Sequence, residues 1–231
     1  MVIDPLIVDV YSRDLGGVLD LPKLAAAGMP WSGIILKATE GVNWGSGSWF
    51  PRYWDKARSV AGDRFGKTWR RGAYHYVHFM EDWKKQLIFY LTTVEAAGGF
   101  DQRGDFRPIL DVERADNPDC SANQIIDCVT PIADGIHSAL GVRPTLYGGS
   151  LLYDKGITDH MGCVNLWIAR YASTLPHQVY ERIGWDLQDV VMWQYDGDGE
   201  SYLAHYPATS PIGKTDISAV IYPGGLARAG W

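Results

Sequence analysis

The amino-acid sequence predicts an α/β fold: a single TIM-like barrel, degraded to five βα units followed by three β-strands. Eight short strand-like runs cross its 231 residues, at 6–10, 33–38, 72–77, 107–112, 142–147, 164–169, 190–195 and 215–221. Segments of helical character follow the first five runs, and strands alternating with helices build a parallel sheet. Several runs end in polar residues of chemical potential, at the place where such a barrel collects its functional side chains.

The elements follow in order. After the first run, 19–27 is helical in composition, with Gly28 as its stop. After the second, Phe50, Tyr53, Trp54, Ala57, Val60 and Ala61 recur at helical spacing. After the third, 81–97 does the same and ends at Gly98-Gly99. After the fourth, Ser121 caps a long helix that reaches Leu140 and stops at Gly141, with Pro131 set to kink or split it. After the fifth, 150–155 has room for a short helix only. The last two links, 173–189 and 196–214, hold Pro176, Pro207, Pro211 and several glycines, and read as loops. There is no sequence repeat and no linker-like shift in composition, so the expectation is one domain over 1–231 with no appended module.

Composition narrows the function classes. Charged residues make up 21% and the net charge is −6, with no cationic cluster denser than 67–71, which argues against a nucleic-acid partner. Ten Trp and thirteen Tyr against six Phe favour rings with a polar handle, suited to wet grooves. No apolar run reaches the roughly 18 residues of a membrane span. The start, Met1-Val2-Ile3-Asp4-Pro5, has no basic region and no cleavage site, so work outside the cytoplasm would need delivery other than by an N-terminal signal. The three cysteines lie outside any CxxC, and a Cys120–Cys128 bridge stays open. The histidines lack metal-ligand spacing and the glycine loops lack phosphate-loop spacing, so no metal and no cofactor is expected.

The most informative stretch is Arg107-Pro108-Ile109-Leu110-Asp111-Val112-Glu113. Its apolar run ends in two acids two residues apart, which alternation sends from the same strand face with Cα atoms roughly 6.6 Å apart. Two like charges that close resist joint ionisation: one should titrate high and donate a proton while the other stays ionised. Paired carboxylates of this kind are the equipment of a glycosidase. The other run ends add Asp9, Lys37 with Glu40, His75 with Tyr76, Tyr147, Arg170 with Tyr171, Trp193 with Tyr195, and Asp216. His75 reads as a hydrogen-bonded histidine inside the barrel rather than a base. Lys37 has two readings: a binder of substrate or site carboxylate, or one half of a structural ion pair at the barrel mouth.

These motifs, in their order, resemble glycoside hydrolase family 25, the lysozymes that act as N-acetylmuramidases. The matching pieces are Val8-Asp9-Val10, Leu36-Lys37-Ala38-Thr39-Glu40-Gly41, Gly72-Ala73-Tyr74-His75-Tyr76, Leu110-Asp111-Val112-Glu113, Leu146-Tyr147, Leu166-Trp167-Ile168-Ala169-Arg170-Tyr171, Trp193-Gln194-Tyr195 and Thr215-Asp216-Ile217. The resemblance implies cleavage of the β-1,4 bond between N-acetylmuramic acid and N-acetylglucosamine in peptidoglycan. It also implies Glu113 as general acid, Asp111 as its partner carboxylate, and Asp9 and Asp216 as the other acids. Glu40, Lys37, Tyr76, Tyr147, Trp167, Tyr171 and Trp193 would bind substrate. The expected partner is the peptidoglycan glycan strand, met by a monomer or by part of a larger virion or secreted assembly. Delivery would be by lysis, virion or non-classical export, without an appended wall-binding module. The chain departs from the family pattern at Tyr11-Ser12, at 43–49, at 63–71 and at Ile217-Ser218. Two other readings are a non-catalytic glycan-binding barrel and a chitin-directed barrel glycosidase; the paired acid speaks against the first.

Overall fold

The computed structural model describes residues 5–12, 18–27, 31–64, 69–102, 104–172, 177–197, 209–213, 215–221 and 229–230. Among these residues nine strands form one sheet: β1 (Leu6–Val10), β2 (Trp31–Glu40), β3 (Trp44–Gly45), β4 (Arg70–Tyr76), β5 (Ile109–Val112), β6 (Thr145–Gly148), β7 (Asn165–Ala169), β8 (Val190–Asp196) and β9 (Asp216–Val220). β1 is buried along its whole length and bonded on both edges, parallel to β2 and antiparallel to β9. The sheet therefore closes as β1–β2–β4–β5–β6–β7–β8–β9, with β3 folded back on the end of β2 as an extra strand. Closure leaves no exposed edge among the eight barrel strands.

All eight predicted runs are strands. The sheet is parallel from β1 through β8, but β9 runs antiparallel to both its neighbours. An antiparallel strand needs no crossover helix to return, which agrees with the Gly- and Pro-bearing link before it. The hairpin strand β3 is not expected from the sequence; two residues are too short to show a period.

Helices α1 (Leu21–Ala26), α2 (Trp49–Arg64), α3 (Trp83–Ala96), α4 (Ala122–Leu140) and α5 (Ser150–Asp154) follow the first five barrel strands, where the sequence places its segments of helical character. Asp82 caps α3 by accepting from the backbone N–H of Lys84 and Lys85. Ser121 and Gln124 close a capping box on α4, and Gly141, at φ 75°, ends it in the left-handed conformation that favours glycine. Pro131 does not split α4, whose Val129, Ile132 and Ala133 stay buried against the barrel on both sides of it. The link 173–189 is not all loop. It contains α6 (His177–Arg182), followed by a 3-10 turn at Leu187–Asp189, and Tyr180, Ile183 and Trp185 are buried there. Most of the link 196–214 lies outside the described residues.

Strand alternation divides the core. One cluster, with Ile7, Ile35, Phe106, Ile109, Met192 and Val220, fills the barrel interior. A larger one packs Val8, Leu36, Leu110, Leu146 and Leu166 against Tyr90, Val94, Ile125, Val129 and Ile136 of the helices. All three cysteines are free and buried, so Cys120 and Cys128 are not bridged.

A buried ion pair locks the far end of β4. Arg71 Nε and Nη2 donate to the two carboxylate oxygens of Asp105 at 2.7 and 3.1 Å, and Nη1 donates to the Trp54 carbonyl at 2.6 Å. The guanidinium also lies over the Trp54 ring at 3.7 Å. Burial lowers the pKa of Arg71 and raises that of Asp105 against their mutual attraction, so each needs the other. Removing one partner strands a buried charge, at about 3–5 kcal/mol. Asp105→Ala should therefore lower the melting temperature on the order of 10 °C. A thermal melt within a degree or two of the parent would show that the pair does not hold this end of the barrel.

Candidate active site

β5 sets the site. Leu110 and Val112 pack outward into the helix layer, while Ile109, Asp111 and, just past the strand, Glu113 share the interior face. Asp9 is on β1, directly in register with Asp216 on β9. Asp216 is the first residue of its strand, so only the antiparallel direction of β9 brings it to the mouth where the parallel strands end. With Tyr74, Tyr147 and Trp167, these four acids line one narrow cavity of about 70 Å³. Tyr147 and Trp167 meet edge to face, with ring centroids 4.5 Å apart, and Trp167 Nε1 donates to Ser218 Oγ at 2.9 Å.

Gln194 ties the acids together. Its amide NH2 donates to both oxygens of Asp9 at 3.1 Å and to Asp216 Oδ2 at 3.3 Å. Its carbonyl oxygen accepts from the Tyr147 hydroxyl at 2.8 Å and the Tyr171 hydroxyl at 3.4 Å. Sequence reasoning passes over Gln194 in favour of its neighbour Trp193. The signal was there: Gln194 is the lone polar residue in the run Val190-Val191-Met192-Trp193-Gln194-Tyr195, and a buried amide must find partners. Trp193, expected to bind substrate, is 5% exposed and packs with Tyr195 in the outer layer, its indole N–H donating to the Arg170 carbonyl at 2.7 Å. Alternation along β8 decides this: Gln194 faces in, so Trp193 faces out.

The carboxylates differ in environment. Asp111 is 6% exposed, and its Oδ1 has no hydrogen-bond partner among the described residues. Burial first, then the charge of Glu113, raises its pKa well above the ordinary carboxylate value, and Lys37 only partly opposes this. Burial also raises Glu113, against the Tyr147 hydroxyl beside it and the charge of Lys37. The sequence reading leaves one of the two ionised. In the folded protein burial raises both, and the charge of Glu113 adds to the rise at Asp111.

Lys37 and Glu40 pair with each other instead of lining this cavity. Lys37 Nζ lies 2.6 Å from Glu40 Oε2 and sits among the rings of Tyr11, Trp44 and Tyr76 at 4.6, 5.0 and 4.9 Å. Burial alone would raise the pKa of Glu40, but Lys37 and His78 outweigh it and lower the pKa. Of the two readings of Lys37, the structure shows the ion pair. The Tyr76 hydroxyl donates to the Ala115 carbonyl, which ties β4 to the loop after β5. His75 is fully buried between Thr39 and Gln86, and burial lowers its pKa to about 4, so it is neutral at ordinary pH. A second, wider cavity of about 340 Å³ adjoins the first at Glu113 and is lined by Gly149, Ser150, Ala169, Arg170 and Tyr171. An apolar cavity of about 520 Å³ between the ends of α3 and α4 holds none of these residues.

A barrel mouth lined by four acids and several rings defines a glycoside hydrolase architecture. The sequence profile of Glycosyl hydrolases family 25 matches residues 8–202, and the chain belongs to that family. No curated protein matches the sequence. Among solved structures, the fold is similar to a muramidase from Acremonium alcalophilum, at 22% identity and a TM-score of 0.70, over 97% of this chain and 98% of that one. It is also similar to the bacterial lysozyme from Streptomyces coelicolor, at 19% identity and a TM-score of 0.72, over 98% and 97%. A third similar fold is the catalytic domain of an endolysin from a bacteriophage of Listeria monocytogenes, at 14% identity and a TM-score of 0.68, over 98% and 97%.

Gln194→Leu keeps the volume but removes donors from two acids and the acceptor of two phenols. It should cost about 2 kcal/mol, a melting temperature lower by roughly 4–8 °C. An unchanged melt would mean that the amide is not the tie described.

Proposed function

We propose that the protein is a muramidase, hydrolysing the β-1,4 bond between N-acetylmuramic acid and N-acetylglucosamine in peptidoglycan glycan strands. The observation that carries this reading is the pair Asp111–Glu113, raised by burial and set beside Asp9 and Asp216 where a narrow cavity opens into a wider one. The muramidase and lysozyme named among the similar folds support the substrate class. The work is done at the cell wall, reached by lysis, as part of a virion or by non-classical export; the endolysin among the similar folds supports the first.

Glu113 borders both cavities, so it can meet the bond being cut. Held protonated, it donates to the leaving glycosidic oxygen. Asp111 lies deeper, with a buried oxygen open to a donor, and an N-acetyl N–H of the bound sugar would satisfy it. That contact orients the acetamido group so that its carbonyl oxygen bonds to the anomeric carbon as the glycosidic oxygen leaves with the proton of Glu113; water then adds at that carbon, returns a proton to Glu113 and frees the acetamido group. Asp9 and Asp216 flank the ring that develops positive charge, where a carboxylate stabilises an oxocarbenium-like transition state. Tyr147, Trp167 and Tyr171 give the sugar its walls.

Purified peptidoglycan should release soluble fragments whose borohydride-reduced ends are muramic acid, while chitin stays intact. Reduced glucosamine ends, or cut peptide bonds, would overturn the reading.

The raised pKa of Glu113 also fixes signs. A carboxyl raised by burial destabilises the fold as pH climbs from its ordinary value of 4.5, and the cost is complete above its folded pKa. Activity should therefore fall on the alkaline side as the pair loses its proton. Glu113→Gln should abolish turnover and leave the protein as stable as the parent, or more stable, at pH 7. A variant that melts several degrees lower at pH 7 would make Glu113 a structural acid.

A further inference from the structure

We propose that Arg170 is a specificity residue for a carboxylate carried by the sugar in the wider cavity, a proposal that rests on the muramidase reading above. The mouth is otherwise acidic: Asp9, Asp111, Glu113 and Asp216 line its narrow part, and Lys37 is occupied by Glu40. Arg170 is the cation in the wall of the adjoining cavity. Its side chain is exposed, and no described residue forms an ion pair with it, whereas Arg71, Arg114 and Arg143 each have an acid. Its base is rigid: the Arg170 N–H donates to the Gln194 carbonyl at 3.0 Å, and its own carbonyl accepts from Trp193 at 2.7 Å. Beside it stands Tyr171, 48% exposed, with its hydroxyl held on Gln194 and no room for a side chain at Gly197 behind it. A fixed ring for the sugar face, the Ser150 hydroxyl and a guanidinium next to Glu113 make a pocket for a glycan with an anionic substituent. Chitin has no such group. The lactyl ether of muramic acid supplies a carboxylate where it is free, and the stem peptide supplies others.

The test uses the whole protein and three soluble glycans: peptide-free strands with free lactyl carboxylates, the same strands with those carboxylates converted to methylamides, and strands carrying stem peptides. On carboxylate-bearing strands Arg170→Gln should lose about tenfold in kcat/KM, mostly through KM, as expected for one charge-assisted contact. Arg170→Lys should keep part of that, and the parent and Arg170→Gln should converge on the methylamide strands. A loss on peptide-free strands assigns the contact to the lactyl group; a loss on peptide-bearing strands alone assigns it to the stem peptide. Either supports the proposal. Equal kinetics of the parent and Arg170→Gln on all three, or an equal loss on all three, would overturn it while leaving the muramidase reading intact. A parent inactive on all three would overturn that reading instead.

Discussion

Much of the molecule is arranged around one buried amide. Gln194 sits on β8, beside the antiparallel seam where β9 closes the barrel onto β1. Its partners come from β1, β9 and β6 and from the residue two beyond the end of β7. Two phenols donate to its carbonyl, so the NH2 must face the acids. That orientation cannot be reversed without setting donor against donor and oxygen against oxygen. The bonds that close the barrel and the bonds that aim Asp9 and Asp216 therefore belong to one network. A fold that formed without this site would leave buried polar atoms unpaired on several strands, each at about 1–3 kcal/mol.

The electrostatics of the mouth follow from where the one nearby lysine goes. A free ammonium beside Asp111 and Glu113 would favour two carboxylates. The β2–β3 hairpin draws it away: Glu40 takes the charge, and Tyr11, Trp44 and Tyr76 surround it. His78 then bridges Glu40 and Glu81 at 3.0 and 3.3 Å, and Glu81 accepts the Val42 N–H at 2.7 Å, fastening the hairpin to the loop before α3. The ion pair sits at the side of the mouth, where Lys37 still lowers the pKa of both acids but does not offset their burial.

How much of this the sequence could show depends on the period of each element. Barrel strands and four-turn helices repeat their pattern, so the eight runs and the caps at Ser121 and Gly141 are legible. A two-residue strand has no period to read, and α6 lies in a link whose prolines and glycines read as loop, which is why β3 and α6 are not. The acids are legible because Asp-Val-Glu at a strand end fixes their common face. Trp193 and Gln194 are harder: β8 is buried on both faces, so hydrophobicity does not say which side looks inward. There the polar residue is the better guide, since only the interior of this barrel offers it partners. The same limit applies to charge state. Spacing says that two acids repel, but only depth in the barrel says that burial raises both.

Asp216 shows how direction, more than position, builds the site. In a barrel of parallel strands, a residue at the start of a strand lies at the opposite end from the mouth. A fully parallel eighth strand would have carried Asp216 to the floor and brought a residue near 220 to the rim. The link before β9 instead lets the strand enter from the mouth. Asp216 meets Asp9 in register, and two residues on Ser218 meets the Trp167 indole one layer deeper. The antiparallel course of β9 thus decides what the mouth contains. Reversing one strand converts an N-terminal residue into a mouth residue and places an acid from β9 directly beside one from β1. Two acids side by side at a closing seam need a shared donor to hold them, and the neighbouring strand β8 supplies it in Gln194.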